Sequence, residues 1–200
     1  MSAREKKLVY HLTALQNLAS ILSTGLRSRR DLSSATEQFT DIADADILTG
    51  RASHELDLYV PFHFITRNPF DYAVVRNQFG SRFALIAVFR SVAQANDWKI
   101  IPRHPLTNAG KPELLSWDAG LAAITWSEMD KEPRNYEADH DCKMVCMAEA
   151  LSPMTVPATL FQSIFVPNAE SEALVRQMVA NAGCSLYVNV NARMFPGGAR

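Results

Sequence analysis

At 200 residues and 22.3 kDa the chain has the size of one ordinary globular domain, without room for separate targeting, regulatory and catalytic modules. Its composition, 48% hydrophobic and 20% charged with 8 Gly and 10 Pro, excludes collagen-like repeats, long low-complexity tracts and a mainly disordered protein. The net charge of -1 excludes holding a polyanion by global charge alone, although it conceals blocks of about +5 (residues 1–30), -6 (31–60), +5 (61–111), -6 (112–149) and +1 (150–200).

In chain order, the start MSAREKK lacks the apolar segment of a secretory signal. LVYHLT then reads as a strand, and LQNLASILSTGL as a helix with apolar residues at near-helical spacing, stopped by Gly25. Residues 27–50 are rich in Ser, Thr and Asp without sustained periodicity, which predicts a long connection or short irregular helices rather than a core element, in a segment of the kind that forms binding loops. LDLYVPFHFI alternates as a strand, and Pro61 directs that strand to an edge, a bulge or the start of a paired segment, beside a cleft rather than at the sheet centre. A short helix begins near Asn68 with Pro69 at its first position, and FALIAVFRS is a strong strand. KPELLSWDAGLAAITW reads as helical, whereas CKMVCMAEAL fits either a helix or a strand. TLFQSIFVPN, ESEALVRQMVANAG and CSLYVNVNA then give strand, helix and strand. The outcome is a mixed α+β fold in a single domain over residues 1–200, with no internal repeat. No run of 18 apolar residues occurs, so the chain reads as soluble and cytoplasmic.

The three cysteines are an odd number without a CxxC pair, which argues against a disulfide scaffold. Cys142, Cys146 and His140 are close in sequence but lack a fourth ligand, so no metal site is assigned. The spacings match no metalloprotease helix, phosphate loop, Gly-rich dinucleotide fingerprint or nucleophile elbow. The polar residues that stand out are His11 and Thr13, two apart on a strand; Glu149, an acid within apolar CMAEAL; and Arg51 and Arg67, placed to meet an anion or a carboxylate.

Three collinear segments, YHLTALQNLASILSTGL (10–26), RASHELDLYVPFHFITRNPFDY (51–72) and CKMVCMAEALSPMTVPATLFQSIFV (142–166), resemble successive signatures of the DarT family, toxins that transfer ADP-ribose from NAD to bases in DNA. The resemblance implies an ADP-ribosyltransferase-like fold with a split central mixed or antiparallel sheet, flanking helices and an NAD cleft. It implies that His11 and Thr13 hold the nicotinamide side of NAD, that Arg51 is the active-site arginine and that Glu149 is the catalytic glutamate. Arg67 and Tyr72 match the ends of a family motif and are thereby assigned to cofactor binding. Departures occur at His63, where the family often has an aromatic, at Thr66 and Asn68, and at Phe70 in place of a usual methionine.

The expected reaction is departure of nicotinamide with positive charge developing at the ribose, followed by attack of a base nitrogen. Glu149 would stabilise that charge or accept the proton, and no metal is called for. Single-stranded DNA is the expected acceptor because its bases are accessible without unpairing; the alternatives are transfer to RNA or protein, or a catalytically inactive nucleic-acid-binding protein. Nine arginines of the two positive blocks (Arg4, Arg27, Arg29, Arg30, Arg67, Arg76, Arg82, Arg90 and Arg103) are candidates for following phosphate, at least half of them expected to be dispersed solvent residues. Asp31, Glu37, Asp41, Asp44 and Asp46 argue against close contact with DNA along the whole 31–50 segment. A macrodomain antitoxin able to remove ADP-ribose from the base is the implied partner.

Overall fold

The computed structural model describes residues 1–35, 39–78, 82–106 and 111–198. Among these, β1 (Leu8–Ala14), β2 (Val60–His63), β3 (Phe83–Phe89), β4 (Lys99–Ile101), β5 (Glu149–Ser152), β6 (Ser163–Val166) and β7 (Tyr187–Val190) form one sheet in the order β4-β5-β2-β1-β3-β6-β7. The β6–β7 pair is parallel and the others are antiparallel, a mixed sheet as expected. The apolar run of β3 follows from its place inside the sheet, where Phe83 to Val88 are all buried.

The sheet is split. β1 pairs with β3 along its whole length, from Leu8↔Phe89 to Ala14↔Phe83, whereas β1 meets β2 only at Tyr10↔His63. β2 is an interior strand rather than an edge, but Pro61 stands near the start of the paired segment and beside a gap, two of the features expected for it, because the proline lies where β1 and β2 diverge. Its carbonyl faces β1, where it accepts from His11 Nδ1 at 2.7 Å, and the nitrogen on that same side carries no hydrogen. A missing donor costs nothing where no ladder exists.

Helix α1 (Leu18–Thr24) buries Leu18, Ile21 and Leu22 and ends at Gly25, whose φ of 87° suits glycine. The segment read as a long connection or short irregular helices forms two short helices, α2 (Arg29–Ser34) and α3 (Ala45–Ser53). Ser28 caps the first and Asp44 the second, but neither has a fully buried residue, so no apolar periodicity marks them. α4 (Pro69–Asn77) begins as expected, in a reciprocal capping box between Asn68 and Asp71. α5 (Arg90–Ala95) follows β3 directly, α6 (Trp117–Ala123) occupies only the middle of the expected helical stretch, whose Leu115 instead bridges Ile100, α7 (Trp126–Met129) begins at its last residue, and α8 (His140–Val145) precedes β5. Gly120 lets α6 lie on β4, since a Cβ there would sit 2.3 Å from that of Ile100. α9 (Ala169–Asn181) packs on α1.

CKMVCMAEAL is therefore a helix followed by a strand, with Glu149 the first strand residue. Cys142 and Cys146 are buried thiols with sulfurs 3.9 Å apart, while His140 is exposed on the opposite face. Glu128, Asp139 and Cys142 bring potential ligand atoms within 4.8 Å, but the Lys131 ammonium lies 2.5 Å from both carboxylates and supplies their counter-charge. Arg90 is buried in the core over Phe64 and Trp126, donating to the carbonyls of Ala3, Arg4, Leu8 and Phe64, and so leaves the set available to DNA. No helix among the described residues is long and apolar enough to cross a membrane.

Candidate active site

A cavity of about 220 Å³ opens where the two parts of the sheet diverge. β1 contributes His11 and Thr13, β2 contributes Pro61 and His63, β5 contributes Glu149, and α3 brings Arg51 across from the opposite wall. Arg51 and Glu149, 98 residues apart in sequence, meet here: Nη1 donates to Oε1 and Oε2, each at 2.8 Å. The Glu149 side chain is 4% exposed and that of Arg51 11%. The pair satisfies a carboxylate that burial alone would make costly. Arg51 Nη2 is buried without a hydrogen-bond partner among the described residues, which leaves a charged donor for a substrate atom.

Three imidazoles surround the pair. His11 is held well below the ordinary histidine range, at about 4, by burial, opposed in part by its bond to Pro61. It is thus neutral at pH 7, and because Nδ1 donates to Pro61, Nε2 carries a lone pair for an amide or hydroxyl donor. His63 stands directly opposite Glu149 across the β2–β5 ladder, its Nδ1 3.3 Å from the Ala148 carbonyl and its ring 5.9 Å from that of Phe70. Burial lowers its pKa more than the Glu149 charge raises it. His104 is also lowered by burial, and its Nδ1 accepts from the Leu106 amide at 3.0 Å, so its neutral form is protonated at Nε2.

The outer wall is the 39–53 stretch. Asn17 clamps Thr40 with two hydrogen bonds of 2.8 Å, Gln78 donates to the Asp41 carbonyl at 3.0 Å, and Arg29 pairs with Asp41 while lying over Phe39. Much of the acidity of this region is therefore used internally: Asp41 by Arg29, Asp44 by the start of α3, Asp31 by the Ser28 hydroxyl that donates to it, and Asp57 by Arg30. Glu37 lies outside the described residues.

The family model for DarT, ssDNA thymidine ADP-ribosyltransferase, matches residues 10–196. The chain belongs to the DarT family. No curated protein matches it, but solved structures do. Thermus sp. 2.9 DarT in complex with ADP-ribosylated ssDNA superposes with a TM-score of 0.82 at 20% identity, covering 96% of this chain and 97% of that one. The same protein in complex with NAD+ gives 0.78 at 18% identity, covering 96% and 98%. Thermosipho africanus DarTG in complex with ADP-ribose gives 0.77 at 18% identity, covering 95% of this chain and 51% of that one. The shared architecture is the ADP-ribosyltransferase-like α+β fold.

Within this DarT-family chain, His11, Thr13, Arg51 and Glu149 line one cavity, as the motifs imply. Arg67 and Tyr72, assigned to the cofactor with them, are not among the cavity-lining residues; Arg67 instead donates to the Tyr72 hydroxyl at 3.0 and 3.3 Å near the surface. Asn17, His63, Phe70 and His104 belong to the site although residue spacing did not single them out as ligands. Only Asn17, four residues after Thr13, carried a local signal, since it continues the β1 face into the next turn. Trp126 is a core residue whose indole donates to the Leu121 carbonyl at 2.9 Å. Of the candidate DNA-binding arginines, Arg29, Arg30, Arg82 and Arg103 are in ion pairs.

Proposed function

We propose that this chain transfers ADP-ribose from NAD to the thymine base of single-stranded DNA, as the toxin of a pair whose antitoxin is a macrodomain protein that removes the modification. The observation that carries the reading is the buried Arg51–Glu149 pair facing His11 and Thr13 across a cleft in the sheet, in a chain of the DarT family. His11 Nε2 and the Thr13 hydroxyl receive the nicotinamide carboxamide, and the unpartnered Arg51 Nη2 takes a phosphate or ribose oxygen. The bond between nicotinamide nitrogen and ribose C1′ breaks with its electrons leaving on nicotinamide, and Glu149 stabilises the positive charge left on the ribose. The thymine N3 attacks C1′ and its proton passes to the Glu149 carboxylate. Burial and the fixed Arg51 orientation hold these atoms without reorganisation during reaction.

The same residues fit an acceptor that enters one base at a time, since a cavity of about 220 Å³ excludes a stacked duplex. Incubation with NAD and matched single-stranded DNA, duplex DNA, RNA and protein, followed by mass spectrometry, tests the proposal. A mass increase of one ADP-ribose on thymine of the single strand is expected. Modification confined to RNA or protein overturns it.

A further inference from the structure

The exposed face of α4 presents Tyr72 and, one turn later, Arg76, with Arg67 just before the helix bonded to the Tyr72 hydroxyl at 3.0 Å. Tyr136 extends this patch from a separate loop, its ring 6.1 Å from that of Tyr72 in an edge-to-face arrangement and its hydroxyl donating to the Arg67 carbonyl at 2.9 Å. Arg67 itself lies in the left-handed backbone region at φ 55°, immediately before the capping box of α4. Neither Arg67 nor Arg76 has an acidic partner among the described residues, in contrast to Arg29, Arg30, Arg82 and Arg103. The acid carried by α4, Asp71, is buried on the other face. Two uncompensated cations thus flank a 39%-exposed aromatic ring.

The patch adjoins the catalytic cleft through α4 itself. Phe70, in the first turn, lines the cleft and lies against His63, the cross-strand neighbour of Glu149. Phe70 and Tyr72 are two residues apart in the first turn, so the helix that carries the patch is also a wall of the cleft. Aromatic rings that stack on any base, alternating with cations that meet phosphate, are the general means of holding single-stranded nucleic acid.

We propose that Arg67, Tyr72, Arg76 and Tyr136 form the surface on which the acceptor DNA strand lies next to the base being modified, with Tyr72 stacking on a flanking base and the two arginines contacting its phosphates. This inference rests on the single-stranded DNA reading above, and replaces the cofactor role implied for Arg67 and Tyr72 by their motif.

The test measures binding of a labelled oligothymidine to the full chain over a range of salt, alongside NAD affinity and transfer to the same oligonucleotide. Arg76→Ala is expected to weaken oligothymidine binding about fivefold and to lower the slope of log affinity against log salt by about 0.7, the share of one phosphate contact on a single strand. Tyr72→Leu is expected to weaken binding about tenfold and Tyr72→Phe to restore most of it, because stacking needs the ring and not the hydroxyl. NAD affinity is expected to stay within twofold in all three. Strand affinity and salt slope unchanged in Arg76→Ala and Tyr72→Leu, while the wild type modifies the oligonucleotide, overturn the surface and leave the reaction standing. Loss of NAD affinity in Tyr72→Phe and Tyr72→Leu overturns it in favour of a cofactor role. A wild type that neither binds nor modifies single-stranded DNA overturns the functional reading itself.

Discussion

Glu149→Gln keeps the shape of the side chain and one oxygen for Arg51 while removing the negative charge. Arg51 then loses half of the two-oxygen contact that now spans 2.8 Å on each side. Removing one member of a buried pair costs about 3–5 kcal/mol when the other is left dry. Here the arginine lines an open cleft, where water replaces part of the lost contact, and about 1–2 kcal/mol is expected. The effect on transfer is larger. A carboxylate about 4 Å from a unit positive charge contributes roughly 4 kcal/mol at an effective dielectric of about 20, or about a thousandfold in rate. Its role as proton acceptor contributes about 10²–10⁴-fold, largely through the same charge, so a loss of about 10³-fold or more is expected. Single-turnover transfer to single-stranded DNA, with NAD affinity by calorimetry and a urea midpoint on the same protein, separates chemistry from binding and folding. Transfer within tenfold of wild type by a folded variant that still binds NAD refutes the role assigned to Glu149.

Burial raises the Asp71 carboxyl to about 7, far above the unfolded value of 3.8. The stability tied to its protonated form is therefore complete below about pH 4 and is lost as pH rises through about 7, to a few kcal/mol at most. Asp71→Asn, which keeps an acceptor for the Asn68 amide, should raise the melting temperature at pH 8 and leave it nearly unchanged at pH 4. His11 acts in the opposite sense: its folded value of about 4 lies below the unfolded 6.5, so stability present above pH 6.5 falls towards pH 4 by about 3 kcal/mol at most. Urea midpoints for His11→Gln across that window should fall less steeply than for wild type, and parallel curves refute the assignment. Arg90→Met strands four carbonyls that the guanidinium now serves and should cost about 3–4 kcal/mol by urea unfolding; a change below about 1 kcal/mol contradicts the structural role of this arginine.

Elements with a buried apolar face were legible in the sequence: β1, β3, α9 and the start of α4 all lie where periodicity and capping place them. Those without such a face were not. α2 and α3 have caps but no fully buried residue, and β4 is three residues long, below the length at which alternation is visible. The ambiguity of CKMVCMAEAL arose because helix and strand share ten residues, with the change falling at Cys146–Ala148. In the site, Glu149 announced itself as an acid among apolar residues, but its pairing with Arg51 depends on α3 folding back over the sheet, which no local pattern encodes. The spacing of Arg67 and Tyr72 places one just before a helix and the other in its first turn, and only the three-dimensional arrangement shows that this turn carries Phe70 inward and Tyr72 outward.

The proline at position 61 gives the cleft a simple determinant of width. With any other residue there, an amide hydrogen would point at β1 on the same side as the carbonyl now engaged by His11, and the Leu12–Pro61 position would gain the means to become a second rung. Such a rung would draw β1 and β2 together across the cavity between them, and would release His11 from the carbonyl that fixes its tautomer. The opening in the sheet is maintained by a hydrogen that the chain does not possess, and a substitution that improved the regularity of the sheet would narrow the cavity that the split creates.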